Sequence, residues 1–286
     1  GLKRFEFSRA SGFTGKDIFM LKLGWLSTGR GEGSIGFLKY VQEMIVACEL
    51  DASIEFVFSN RERGEDLGSD HFFSLVDSYN IPLLTLSSKK WCKERDGGPF
   101  RDHRVEFHEE VLSLIQGFGV DLNLFLGYML FTHPRFVEIC PSINLHPAAP
   151  GGAAGTWQSV IWELIENKTK YSGVRAHVVT QNWDAGPVIS YCTYPIVGDQ
   201  FDQHWSDANR MSINELKRSG EKQVLFRLIR EAGLIRERPV IVATLRLLAS
   251  GEVVVRDGQA LGINGKPIKA NDVTREVERL VSMGDL

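Results

Sequence analysis

The chain has 286 residues, 43% of them hydrophobic and 10% aromatic, and its 33 Lys and Arg against 36 Asp and Glu leave a net charge of -3. So much apolar material argues for a sizeable core and against a disordered chain. The slight acidity argues against a general nucleic-acid or anionic-membrane binder, whose affinity needs a basic surface. No apolar run reaches the length of a membrane span and the N-terminus lacks a signal-peptide pattern, so a cytoplasmic protein is expected, with no membrane or nucleic-acid partner. Four cysteines, Cys48, Cys92, Cys140 and Cys192, are scattered without paired spacing. That points to a reducing compartment, buried incidental thiols and no metal.

Strand-like and helix-like stretches alternate from residue 19 onward, the pattern of an α/β domain with a largely parallel sheet. Residues 19–26 read as a strand and 27–33, STGRGEG, as a tight glycine-rich loop. From Ser34 a helix follows, with Phe37, Val41, Ile45 and Cys48 at helical spacing. The second strand is read at 54–58, followed by a helix carrying Leu67, Phe72, Val76 and Tyr79, then a short strand at 81–86. Residues 87–104 read as a charged loop, and Phe107, Val111, Ile115 and Phe118 mark the next helix. Strands at 121–130, 143–146, 174–179 and 188–196, with a helix at 157–168, complete the core.

Beyond about residue 200 the rhythm changes. Residues 201–212 read as a loop, 221–233 and 240–251 as two helices, and 252–267 as strands joined by Asp-Gly and Asn-Gly turns. A helix closes the chain. The expected organisation is an N-terminal extension over 1–18, a catalytic core over 19–200, and a C-terminal α+β extension over 201–286 that packs on the core.

A glycine loop between a strand and a helix offers backbone N–H groups and a helix N-terminus, which together favour an anion such as phosphate; a plain tight turn is the alternative. Gly29, Gly31 and Gly33 have the spacing G-x-G-x-G, and the second strand ends in Ser59-Asn60-Arg61 without a ribose-binding carboxylate. Both features disfavour a nicotinamide enzyme and favour a small phosphorylated substrate. Arg30, Arg61 and Arg63 either meet that anion or are solvated. Asn144 and His146 stand two apart on a strand, so their side chains point the same way. An amide donates without titrating and an imidazole donates or accepts near neutrality, so the pair either suits an oxyanion or plugs the rim of a sheet. Asp184, just before Gly186-Pro187, is either a turn former or a carboxylate that orients His146 and relays protons.

Taken in order, LSTGRGEGS, FVFSNRE, LFLGYMLFTHPRFV, SINLHPAAPGGAAG and VRAHVVTQNWDAGPVIS resemble the landmarks of the formyltetrahydrofolate-dependent formyltransferase family over about residues 19–200. Within the family the likeness is greatest to the members acting on glycinamide ribonucleotide. The resemblance implies a Rossmann-like formyltransferase fold, with a mostly parallel central sheet flanked by helices. It also implies formyl transfer from 10-formyltetrahydrofolate to an amine acceptor, glycinamide ribonucleotide or a related small phosphorylated amine, without a covalent enzyme intermediate. On matching positions, Asn144 and His146 are expected to stabilise the oxyanion and Asp184 to support His146 and the proton relay. Met129, Leu130, Phe131, Phe136 and Val137 are expected to hold the folate, with Gln181, Asn182 and Trp183 along one edge; for 129–137 ordinary core packing is the alternative. Gly31, Gly33 and Ser34 are expected to bind the acceptor's phosphate.

Departures from the pattern bear on the acceptor. Ile35 follows Ser34 where the family has Asn or Asp, and Ala148-Ala149-Pro150-Gly151-Gly152 replaces Ser-Leu-Leu-Pro. The 87–104 and 201–222 segments have no counterpart in the short purine enzyme. Open alternatives are a formyltetrahydrofolate hydrolase, disfavoured by the short stretch before the first strand, a sugar N-formyltransferase, and a non-catalytic folate-binding protein. A tRNA formyltransferase is disfavoured by the mixed charge of the tail. Whether the chain forms a homodimer is left open.

Overall fold

A computed structural model describes residues 20–182 and 184–284, so the expected extension over 1–18 and Trp183 lie outside the described residues. In chain order the elements are β1 (Leu21–Leu26), α1 (Glu32–Val46), β2 (Ala52–Ser59), α2 (Leu67–Ser78), β3 (Leu83–Thr85), α3 (Ser88–Arg95), α4 (Phe100–Ile115), β4 (Leu122–Phe125), α5 (Pro134–Ile139) and β5 (Ser142–His146). There follow α6 (Trp157–Glu166), β6 (Tyr171–Val178), β7 (Val188–Pro195), α7 (Asp199–Ala208), α8 (Ile213–Arg218), α9 (Val224–Ala249), β8 (Val253–Arg256), β9 (Gln259–Gly262), β10 (Asn271–Asp272) and α10 (Thr274–Met283).

The chain divides into two compact units, each assembled from separate segments. The first takes residues up to Asn144, then 178–186 and 246–267; the second takes 145–177, 187–245 and 268 onward. In the first unit β5, β4, β1, β2 and β3 lie side by side in that order, every pairing parallel. Parallel neighbours need crossover connections, and helices supply them, so the sheet is covered and its strands are buried almost throughout. Leu26, Phe56, Phe58, Phe107, Phe125 and Phe136 form the heart of this core. The β8–β9 ribbon turns at Asp257-Gly258, both at positive φ, as the Asp-Gly signal predicts.

In the second unit β7 pairs antiparallel with β6 and parallel with β10. Phe226 of α9 packs on the Trp162 ring of α6 at a centroid distance of 4.8 Å. Ser190 of β7 and Thr244 of α9 share a buried hydroxyl contact of 2.6 Å. Arg236 makes a two-pronged pair with Glu278 of α10 and lies over the Tyr194 ring.

Four expectations need correction. Residues 87–104 are helical: Ser87 caps α3 by accepting from the Lys90 N–H at 3.1 Å, and α4 begins at Phe100. Charge on the outer face hid two inward residues, Trp91, which meets Phe107 edge-on, and Cys92. Residues 201–212 are helical up to Ala208, because Phe201, Trp205 and Ala208 recur on one buried side and the Trp205 indole donates to the Ile196 carbonyl. The two helices expected around Pro239 are one. Proline removes one backbone bond, but Val240, Ile241, Val242 and Ala243 are all fully buried, and that packing carries the helix through. Finally, the strand expected over 121–130 stops at Phe125, where Leu126–Met129 turn away to meet the glycine loop.

Gly24 sits mid-strand in β1, where a Cβ would collide with Asn123 Oδ1 and lie 2.6 Å from Phe56 Cζ. Gly24→Ala is expected to destabilise the protein by about 2–3 kcal/mol. Chemical denaturation measures this, and a loss under about 0.5 kcal/mol would show that β1 and β4 do not approach so closely.

Candidate active site

In the first unit the strand ends of β1, β2 and β4 meet at Thr28, which is buried. Its hydroxyl donates to Asn60 Oδ1 at 2.7 Å and accepts from the Met129 N–H at 3.1 Å. Its own N–H donates to the Gly127 carbonyl, and its carbonyl accepts from the Ser69 hydroxyl. Gly29, at φ +70, follows in the left-handed region, where a side chain would also strike Phe72. The loop is thus held at its base.

Beyond that base the loop is open. Gly31 precedes α1 in extended conformation with no side-chain cap; the Ser34 N–H donates to the Gly31 carbonyl at 3.0 Å, whereas the N–H groups of Glu32 and Gly33 have no acceptor within the helix. A Cβ at Gly31 or Gly33 would meet nothing within 4 Å. Packing therefore does not demand glycine at either position, whereas close approach of a ligand to the backbone would. Ser34 is buried, and its hydroxyl lies where a side chain on Gly127 would have to go. Arg30 is exposed and 3.8 Å from Asp66, and Arg63 pairs with Asp77. Arg61 is half-buried, with Nε and Nη1 lacking partners among the described residues.

The residues expected to hold the folate separate by exposure. Met129 and Phe131 are 71% and 57% exposed, whereas Phe136 is fully buried and Val137 nearly so. Leu130 packs partly against the core. Between the exposed pair and the core stands a contact that sequence reasoning missed. His108 Nδ1 donates to the Arg104 carbonyl at 2.8 Å, which leaves Nε2 to accept from the Tyr128 hydroxyl at 3.1 Å. Spaced 20 residues apart on a helix and a loop, the two carry no joint sequence signal.

Gln181 and Asn182 are exposed in the loop after β6, where Gln181 donates to Glu138 at 3.5 Å. Asp184 stands in that loop at φ +55, a left-handed conformation Asp tolerates better than most residues. Gly186 is required there, since a Cβ would run into the Val178 carbonyl. The turn-forming role of Asp184 is therefore real, and a chemical role is compatible with it.

Asn144 ends the β5 segment of the first unit, half-buried and in register with Phe125 of β4. His146, in the second unit, is 2% exposed. Its Nε2 lies 2.9 Å from the Ala153 carbonyl; a carbonyl only accepts, so Nε2 carries a proton. Among the described residues no group of three or more His, Cys, Asp and Glu is gathered as a metal site, and no helix is long and apolar enough to cross a membrane.

Comparison with known proteins bears on this geometry. A profile of the formyl transferase family matches residues 34–211. The chain belongs to that family and is a formyltransferase by family. It is 27% identical over 170 residues to the phosphoribosylglycinamide formyltransferase of Dictyostelium discoideum, covering 56% of this chain and 78% of that one. To the formyltetrahydrofolate deformylase of Bacillus subtilis it is 26% identical over 183 residues, 63% of this chain and 51% of that one. The chain thus spans about half the length of that deformylase. Among solved structures, a phosphoribosylglycinamide formyltransferase from Coxiella burnetii superposes with a TM-score of 0.62 at 18% identity, over 88% of this chain and 99% of that one. At that identity the likeness is one of fold.

Burial holds His108 neutral, pushing its pKa down to about 4. Between that value and the unfolded value near 6.5 the unfolded chain binds more protons, so stability is full above about pH 6.5 and falls as pH drops toward 4. The loss attributable to His108 is at most about 3 kcal/mol. His108→Gln is expected to flatten that part of the stability–pH curve, measured by denaturation at pH 4.5 and 7.5; an unaltered slope would place the acid sensitivity elsewhere.

Proposed function

We propose that the protein transfers a formyl group from 10-formyltetrahydrofolate to the amine of a small phosphorylated acceptor, of which glycinamide ribonucleotide is the first candidate. The observation that carries the reading is the family match across Asn144-x-His146 and Asp184, joined to a buried His146 whose Nε2 proton is fixed. The donor supplies carbon at the formyl level of oxidation. Asn144 Nδ2 donates to the carbonyl oxygen as the amine lone pair adds and negative charge develops there, and His146, its Nε2–H held by Ala153, donates to the same oxygen through Nδ1–H in its protonated form. Asp184 supports His146 and accepts, through water, the proton the amine gives up; the folate nitrogen takes a proton as it leaves. Exposed Met129 and Phe131 fit the face of a flat ring system, with His108 and Tyr128 behind them. Backbone N–H groups at Gly31 and Gly33 and the hydroxyl of Ser34 fit the acceptor's phosphate.

A second reading is hydrolysis of the same donor, with water in place of the amine, favoured by the deformylase relatives. The two separate in one assay, which follows tetrahydrofolate release with glycinamide ribonucleotide, with amino sugars and with no amine. Release that requires an amine supports transfer; release without one supports hydrolysis; no release under any condition overturns both. His146→Ala is expected to lower turnover by roughly two orders of magnitude or more with the fold intact. Asp184→Asn should change the pH–rate profile as well as the rate. Near-normal turnover in the first variant, or an unchanged profile in the second, would remove that residue from the chemistry.

A further inference from the structure

We infer that Arg175, a residue for which sequence reasoning found no role, is the positioning residue that holds in place the carbonyl to which His146 Nε2 donates. The inference rests on the proposed function for its catalytic meaning, and on the second unit alone for its geometry.

The segment after His146 reads Pro147-Ala148-Ala149-Pro150-Gly151-Gly152-Ala153. None of these side chains is long or polar enough to anchor the loop, and Gly151 adopts φ +75. Yet the Ala153 carbonyl must stand where His146 Nε2 can donate to it at 2.9 Å. Something outside the loop has to hold it. Arg175 does so from β6: although only 6% exposed, it donates through Nη1 to the Ala149 carbonyl at 2.9 Å and the Ala148 carbonyl at 3.3 Å. Two positions earlier on the same face of β6, Gly173 makes room for the loop, since a Cβ there would lie 2.8 Å from Ala149 Cβ. The Ala149 carbonyl also accepts from the Gly152 N–H at 2.9 Å, which closes the turn just before Ala153. The mechanical chain therefore runs from the guanidinium to Ala149, across the turn to Gly152, and through the Ala153 carbonyl to the imidazole.

A buried guanidinium is expensive to desolvate. Its planar array of donors suits adjacent carbonyls in a way that a lysine ammonium does not. Losing the strap frees the Ala153 carbonyl to drift, and the His146 ring loses the acceptor that orients its Nε2–H. A displacement of about 1 Å at a reacting group costs on the order of a hundredfold in rate.

The test uses the full chain, with His146 ring nitrogens followed by 15N NMR, assigned by comparison with His146→Gln. Wild type is expected to show Nε2 protonated and hydrogen-bonded, with a slowly exchanging Gly152 amide. In Arg175→Met the Nε2 resonance is expected to lose its hydrogen-bonded shift, Gly152 exchange to quicken about tenfold or more, and kcat to fall about 10- to 100-fold while KM for the folate donor changes little. Millimolar guanidinium added to Arg175→Ala should restore part of the lost kcat. If Arg175→Met fails to fold, Arg175→Lys carries the same readouts, with an intermediate effect expected. A folded variant with a wild-type Nε2 resonance and wild-type exchange overturns the strap, and an altered Nε2 resonance with unchanged kcat overturns its role in turnover. Should wild type release tetrahydrofolate under no condition, the proposed function falls, and the NMR arm still decides the strap.

Discussion

Thr28 has one hydroxyl, one N–H and one carbonyl, and each is bonded away from water to a different part of the first unit. A buried polar group left unmatched costs roughly 1–3 kcal/mol, so Thr28 can stay buried only while the ends of β2 and β4 and the start of α2 all stand in place. Asn60 extends the network by donating to the Ser88 hydroxyl at the start of α3. Rigid strands end at this knot and the open glycine loop begins beyond it. A loop so anchored can present bare backbone without collapsing onto its neighbours.

The same division between fixed base and open tip recurs in the 126–131 segment. Tyr128 is buried on His108 among Phe125 and Phe136, while Met129 and Phe131 on either side of Leu130 face outward. An inward aromatic between outward apolar side chains sets the direction of its neighbours through the backbone. Burial keeps the Tyr128 phenol protonated and the His108 ring neutral, so the contact persists across the physiological range. In both places the open surface is small and the apparatus holding it is large.

Much of this was readable in the chain. Parallel strands buried on both faces are written as apolar runs such as FVFS and LNLF, and those runs placed the sheet; the strand spacing of Asn144 and His146 was equally plain. What escaped was written in other terms. The α3 segment offers only two apolar residues, Trp91 and Cys92, to the interior, and its lysines and arginines outnumber them in any local reading. Pro239 signals a helix end by local rules, and only the burial of Val240–Ala243 on every side overrules it. The His108–Tyr128 pair and the reach of Arg175 to Ala148 join residues 20 and 27 positions apart. Such contacts arise from tertiary folding and leave no periodicity behind.

Arg175, Gly173 and Ala149 also constrain how this sequence can change over time. A larger residue at 173 strikes Ala149, and a shorter one at 175 takes a donor from two carbonyls that now share it. A loop rebuilt with anchoring side chains of its own would in turn leave a buried cation with nothing to hold. Each single change leaves a clash, a carbonyl short of a donor or a buried cation without acceptors, so rebuilding this loop without loss of packing takes two changes together.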